Sequence, residues 1–239
     1  MKKDFWDAWK YKTEIENKAI AAVKKARELI IKSIPKSALI AIYIKGSFVR
    51  REMNTSSDVD IVPIVTENKY EKDVFSVNSE KIYPAIVVPL SILEFKENKL
   101  YSSIDPPDLR AKPDRFLRKI DRCRLIYGKP LDLSKFTIRN DKEIFKEEIK
   151  IVKDGYILAY EDGKISFHTL LKEVFWLAEA EQYFKGIEVK ESFEAIANSF
   201  KNKGHIIHQA LKIRKNTNPT EKEKEEFVKK LKEYMTNLK

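Results

Sequence analysis

Lys45-Gly46-Ser47-Phe48-Val49-Arg50-Arg51-Glu52-Met53-Asn54-Thr55-Ser56-Ser57-Asp58-Val59-Asp60-Ile61-Val62 is the stretch on which the reading of this chain turns. Residues 58–65 (DVDIVPIV) have the β-branched content of a strand, and the run before Gly46 (SALIAIYIK, residues 37–45) reads as another. Successive side chains of a strand alternate faces, so Asp58 and Asp60 point the same way. Two carboxylates on one face repel each other unless a cation lies between them. Magnesium suits such a pair, because it prefers oxygen ligands and keeps waters that phosphates displace. Gly46 lets the backbone approach a ligand closely, and Ser47 adds a hydroxyl and an amide N–H. Asp-x-Asp or Gly-Ser alone is an unspecific pattern. The two together, twelve residues apart on consecutive strands, point to a triphosphate site.

Working outward, residues 4–33 are predicted as one helix capped by Asp4, with Trp6, Trp9, Ile15, Ala19, Ala22, Ala26 and Ile30 at helical spacing. A third strand is predicted over residues 81–90, a short helix over 115–122 and a fourth strand over 123–127. Past Leu133 strand signals stop. Helices are predicted over 143–160, 166–184 (with Gly186 just beyond) and 191–214, where Gly204 weakens the middle. Thr220 and Glu223 form a capping-box pattern that opens the last helix, whose apolar face is Phe227, Leu231, Tyr234, Met235 and Leu238. The expected architecture is α+β: a small mixed sheet with flanking helices in residues 1–135, then an all-helical bundle of four helices in residues 136–239.

Composition sets further bounds. The 43% apolar content supports a real core, and the net charge of +10 favours anionic partners. No window approaches the roughly 18–20 apolar residues of a membrane span, and the start lacks a signal-peptide apolar region, so a cytoplasmic location is the default. The single cysteine, Cys123, excludes an internal disulfide, and no Cys/His spacing suits structural zinc. Few glycines with many Lys, Glu and Ile give a thermophile-like composition.

The stretch from Gly46 to Ile61 resembles the signature of the DNA polymerase β-like nucleotidyltransferase superfamily: Gly-Ser, then an Arg and often Gly-Glu, then Ser-Asp-x-Asp followed by apolar residues. Gly46, Ser47, Arg50, Glu52, Ser57, Asp58, Asp60 and Ile61 match, and Arg51 stands where a glycine is common. The minimal nucleotidyltransferases of archaea and bacteria, and the antibiotic nucleotidyltransferases with a helical C-terminal half, are the most similar branches. The resemblance implies transfer of a nucleoside monophosphate from a nucleoside triphosphate to an acceptor hydroxyl, with pyrophosphate leaving. Asp58 and Asp60 would hold Mg²⁺ or Mn²⁺ and carry the catalysis. Gly46, Ser47, Arg50 and Ser57 would bind the nucleotide, with Arg50 either neutralising the triphosphate or pairing with Glu52.

One departure stands out. The superfamily places a third carboxylate on the next strand, whereas Pro84 to Pro89 carry no acid; Glu80 and Glu94 are the nearest, and Glu80 or an acid of the helical half is the expected substitute. The favoured acceptors are an RNA 3′ end or a protein side chain. A homodimer, or a toxin-like helical partner beside which the chain acts as an antitoxin, is the other expected association. The alternative function is a weak or inactive nucleotide- or RNA-binding module. The remaining features read as structural: Glu173, Glu179 and Glu181 as solvated helix acids, Phe175, Trp176 and Tyr183 as core, His205 and His208 as structural histidines, and Cys123 as inert. The basic run of Arg110, Lys112, Arg115, Arg118, Lys119, Arg122 and Arg124 is read as a solvated surface helix, with an RNA backbone as its alternative ligand.

Overall fold

The computed structural model describes residues 3–55, 57–101, 112–216 and 218–238. The chain divides into two units, Met1–Ile138 and Arg139–Lys239.

The first unit is built on a mixed sheet of β1 (Leu39–Lys45), β2 (Val59–Val65), β3 (Ala85–Val87), β4 (Leu90–Ser91) and β5 (Arg124–Gly128). The order is β3-β2-β1-β5, with β4 also paired to β2. β1 runs antiparallel to β2 and β5, while β3 and β4 run parallel to β2. The predicted single strand over 81–90 is thus a 3₁₀ turn (Glu80–Ile82) followed by two short strands. Pro84 and Pro89 bracket β3 and offer no N–H to a ladder, which keeps each piece short. On the edge of the sheet, Asn78 completes β3 with its side-chain amide, donating to the Val87 carbonyl at 2.9 Å and accepting the Val87 N–H at 2.8 Å.

α1 (Glu14–Ser33) covers one face of the sheet. Ala19, Ala22, Val23, Ala26 and Ile30 pack there with Ile42, Ile44, Val59 and Ile61 in one buried cluster. The predicted helix over 4–33 is broken: a 3₁₀ turn, Phe5–Ala8, precedes α1, which begins at its own capping box. Thr13 Oγ1 accepts from the Glu16 N–H and Glu16 accepts from the Thr13 N–H, so the chain re-enters helix at Thr13 instead of running through. Asp4 still caps the short turn and is paired with Arg27. The other face holds Ala41, Tyr43, Val62, Ile64, Phe95, Leu117 and Cys123 in a second cluster. Among the described residues, four short α-helices complete the unit: α2 (Ser47–Arg50), α3 (Glu71–Phe75), α4 (Ile92–Glu97) and α5 (Pro113–Arg118).

The second unit is helical: α6 (Asp141–Ile151), a π-helical turn (Val152–Tyr156), α7 (Ile157–Glu161), α8 (Phe167–Phe184), α9 (Phe193–Asn198), α10 (Ile206–Lys215) and α11 (Glu221–Asn237). α8 and α11 agree with the sequence reading to within a residue or two, and both caps form, Ser166 on Thr169 and Thr220 on Glu223. Two predicted helices are interrupted. A π turn that includes Gly155 separates α6 from α7, and residues 199–205 separate α9 from α10, where His205 opens the new helix by accepting the Ile207 N–H. So the four predicted helical segments become six α-helices among the described residues. Phe227, Leu231 and Met235 are buried on the predicted face of α11.

The helix acids Glu179 and Glu181 are a correction to the sequence reading: both are buried, not solvated. Glu181 accepts hydrogen bonds from the Tyr234 hydroxyl of α11, from His205 Nε2 at 3.1 Å and from Lys185. His205 also stacks on Phe200. Burial pushes the Glu181 carboxyl up, but the bonds from His205, Lys185 and Tyr234 outweigh it and hold the group at about 2. Burial and the adjacent carboxylate push the Tyr234 phenol well above its ordinary value. Because the folded-state value of Glu181 is depressed, its stabilisation is fully present above the unfolded value near 4.5 and is lost as pH falls towards 2. Glu181→Gln is therefore expected to cost about 2–3 kcal/mol at neutral pH. Urea denaturation across pH 2–7 tests this: the gap between wild type and variant should close in acid.

Candidate active site

The site forms where β1 ends and β2 begins. Lys45, the last residue of β1, lies opposite Asp60 in the antiparallel register. Gly46 follows with φ 83° and ψ −155°, a region only glycine occupies comfortably. A β-carbon on Gly46 would stand 3.2 Å from Asp60 Oδ2, so the glycine also makes room for that carboxylate. The sequence pairing of Gly46 with the Asp-x-Asp motif becomes a direct juxtaposition. Gly46→Ala is expected to destabilise the fold by about 1–3 kcal/mol through backbone strain and to push the Asp60 carboxylate aside. Thermal denaturation reads the first effect, and nucleotide affinity the second.

β2 begins at Val59, so Asp58 sits one residue before the strand rather than within it. Val59 is pinned by its N–H donating to the Pro84 carbonyl at 2.9 Å, and its side chain is wholly buried under α1. That fixes the phase of the strand: Val59 and Ile61 face α1, whereas Asp60 shares the opposite face with Val62 and Ile64. Asp60 is half-buried, and among the described residues it has no hydrogen-bond or ion-pair partner. A partly desolvated carboxylate without a partner is costly unless something cationic joins it. Asp60, with Asp58 two residues before it, therefore fits a divalent cation. Among the described residues no cluster of three or more His, Cys, Asp or Glu offers a larger metal site.

The other predicted site residues fall around this point. Ser47 begins α2, and its carbonyl accepts the Glu52 N–H at 2.9 Å. Arg50 Nε pairs with Glu52 at 2.8 Å on the surface. The Ser57 hydroxyl closes the turn before Asp58, accepting the Asn54 N–H at 2.9 Å and donating to Asn54 Oδ1 at 3.1 Å. α2 is anchored by Phe48, fully buried in a cage of Phe5, Trp6 and Trp9 with ring centroids 5.3–6.0 Å away.

The acids nearest β3 stand in different surroundings. In the parallel register Ile86 of β3 lies beside Asp60, and it is 39% exposed although both its β3 neighbours are buried. Glu94 is fully buried in the capping box of α4, taking N–H groups from Ser91 and Tyr101. Ser91 pairs with Val65, at the far end of β2, which is about 16 Å along the strand from Asp60. Glu94 is thus a structural cap. Glu80 lies exposed in the 3₁₀ turn before β3.

Of the basic run, Arg110 lies outside the described residues. Lys112, Arg115, Arg118, Lys119 and Arg122 are each engaged with other groups, and Arg124 is exposed. Cys123 is buried, Phe175 is fully buried against Phe193, and His208 bonds the Phe200 carbonyl at 3.1 Å. No helix among the described residues is long and apolar enough to cross a membrane.

This fold, a small mixed sheet that sets Gly-Ser beside Asp-x-Asp with a helical half after it, has a counterpart among solved structures. A solved structure with this fold is that of spectinomycin adenyltransferase AAD(9) from Enterococcus faecialis, determined with ATP and spectinomycin. The two align with a TM-score of 0.57 and 15% identity over 90% of this chain and 98% of that one. No protein-family profile matches the sequence, and no curated protein matches it.

Proposed function

We propose that the protein is a metal-dependent nucleotidyltransferase that moves a nucleoside monophosphate from a nucleoside triphosphate to an acceptor hydroxyl. The observation that carries the reading is the half-buried Asp60 carboxylate, without a partner among the described residues, set against Gly46. Asp58 and Asp60 would hold Mg²⁺ or Mn²⁺, which when bound supplies charge neutralisation at the triphosphate and polarises the acceptor hydroxyl. Gly46 and Ser47 would bind the β- and γ-phosphates through backbone N–H groups and the serine hydroxyl. Ser57 would act indirectly, by closing the turn that presents Asp58. Arg50 would exchange its exposed pair with Glu52 for the triphosphate, a small loss for a solvent-facing pair. The acceptor oxygen attacks the α-phosphorus, the bond to the α–β bridging oxygen breaks with its electron pair leaving on pyrophosphate, and the hydroxyl proton passes to solvent.

The net charge of +10 favours an anionic acceptor, an RNA 3′ end, over a cationic aminoglycoside. A protein hydroxyl is the alternative acceptor. The decisive experiment incubates the protein with Mg²⁺ or Mn²⁺ and each α-labelled triphosphate in turn, with a cell lysate as acceptor pool. Label entering RNA, protein or the small-molecule fraction names the acceptor class. A second reading, a nucleotide-binding module without turnover, is favoured by Ile86 standing beside Asp60. It expects Mg²⁺-dependent triphosphate binding without pyrophosphate release.

A further inference from the structure

Arg51 is one of only two described residues other than glycine with a positive φ, the second being Asn98. Asparagine tolerates this region, but a long side chain does so only where its surroundings hold it there. Arg51 lies at φ 60°, ψ 39°, directly after α2. Its N–H donates to the Phe48 carbonyl at 3.2 Å and the next N–H, of Glu52, donates to the Ser47 carbonyl at 2.9 Å. The left-handed residue thereby closes the turn that begins at Ser47.

The side chain shows what holds it. Arg51 Nε and Nη2 make a two-pronged pair with Glu16, at 2.8 and 3.0 Å. Nη2 also donates to the Tyr11 carbonyl, and the guanidinium lies 4.7 Å from the centre of the Trp9 ring. Glu16 is only 3% exposed and serves twice, because Oε2 also accepts the Thr13 N–H that starts α1. The Arg51 guanidinium holds the Glu16 carboxyl below its ordinary value. Trp9 in turn packs on Phe48, the anchor of α2. The donors of Arg51 are thus directed at Glu16, in the first turn of α1, and at Tyr11, on the segment that leads into it.

We propose that Arg51 is a positioning residue: through Glu16 and Trp9 it ties the start of α1 to the turn bearing Gly46 and Ser47, and so holds that turn in the shape that receives a triphosphate. This rests on the nucleotidyltransferase reading. In this chain the glycine common at this position is replaced by a side chain whose contacts stabilise the same backbone conformation. The affinity for the nucleotide therefore depends on Glu16, which acts through Arg51.

The test compares Arg51→Ala, Arg51→Gly and Glu16→Gln in the full chain. Hydrogen exchange of the Arg51 and Glu52 amides is followed without nucleotide, and KM and kcat for ATP with Mg²⁺ are measured separately. Arg51→Ala and Glu16→Gln should speed exchange of both amides about tenfold and raise KM about tenfold, with kcat changed less than about twofold. Arg51→Gly, which enters the left-handed region freely, should recover KM to within about threefold of wild type. Equal losses in Arg51→Ala and Arg51→Gly with Glu16→Gln unaffected would show that the guanidinium itself binds the triphosphate, and would overturn the proposal. Unchanged exchange in Arg51→Ala would overturn it as well. Wild-type protein that binds no triphosphate, with exchange responding as described, rejects the nucleotidyltransferase reading and the nucleotide role of Arg51 with it, while the tie from Arg51 to α1 is upheld.

Discussion

Asp58→Asn and Asp60→Asn together should abolish nucleotidyl transfer, and Asp60→Asn alone should leave the protein at least as stable as the wild type. Asparagine has nearly the shape of aspartate but no charge, so it forfeits most of the attraction for a hard cation. The expected loss of rate is about 10³-fold or more, at or beyond the upper end of what removing a single transition-state stabiliser costs. The stability half of the prediction follows from the surroundings of Asp60. It has no partner among the described residues, so its substitution breaks no native interaction there. The side chain is half-buried with another carboxylate two residues away, and removing one negative charge relieves repulsion in the absence of metal. The Asp60→Asn melting temperature without metal should equal or exceed that of wild type, the pattern of a residue kept for function at some expense of stability. Added Mg²⁺ should raise the wild-type melting temperature in a concentration-dependent way and leave the double variant unmoved. Transfer by the double variant at the wild-type rate would falsify the proposed mechanism.

The features behind that prediction differ in how legible they were in the sequence. The Gly-Ser and Asp-x-Asp motifs are local patterns, and the two strands carrying them are apolar enough to be read directly. Their contact, Gly46 against Asp60, follows from pairing β1 with β2 in the register Lys45 to Asp60. α8 and α11 were likewise legible, because their caps and apolar faces are written within a few residues of each other. The unread parts are those decided by groups far apart in the chain or by a local signal inside a longer pattern. Thr13 and Glu16 form a capping box within a run whose helical periodicity continues on both sides, so the break before α1 is hidden. Glu181 looks like a solvated helix acid because its partners His205 and Tyr234 are 24 and 53 residues away. The backbone of Arg51 is invisible for another reason. A glycine would have announced a left-handed residue, whereas the arginine reaches the same conformation through contacts with Glu16, Tyr11 and Trp9 that only the tertiary structure creates.

Ile86→Asp should strengthen the site rather than damage it. In the parallel register Ile86 is the neighbour of Asp60, and neighbouring residues of paired strands project on the same face about 5 Å apart. A carboxylate there would supply a third acid beside Asp60, on the strand where the resemblance to the nucleotidyltransferases leads one to expect it. Ile86 is 39% exposed, the most open position of β3, so the exchange forfeits only part of a full isoleucine burial, and Asn78 fixes the adjacent Val87 backbone independently of side chain 86. Three carboxylates repel one another more than two, so the variant should be less stable than wild type without metal and gain more from Mg²⁺. The Mg²⁺ concentration for half-maximal transfer should fall about tenfold or more, at least the change that perturbing the support of a metal ligand produces. Titration of transfer rate against Mg²⁺, in wild type and Ile86→Asp side by side, measures it. If wild type turns over slowly and the variant faster, the isoleucine is what limits the reaction, and Asp58 with Asp60 forms a working but incomplete cation site. If wild type is inert and Ile86→Asp acquires transfer, the chain is a binding module that a single side chain separates from catalysis. If the variant folds, binds Mg²⁺ no better and transfers no faster, then β3 does not border the reacting groups. In that case the acceptor side of the site must be sought away from the edge that β3 and Asp60 share.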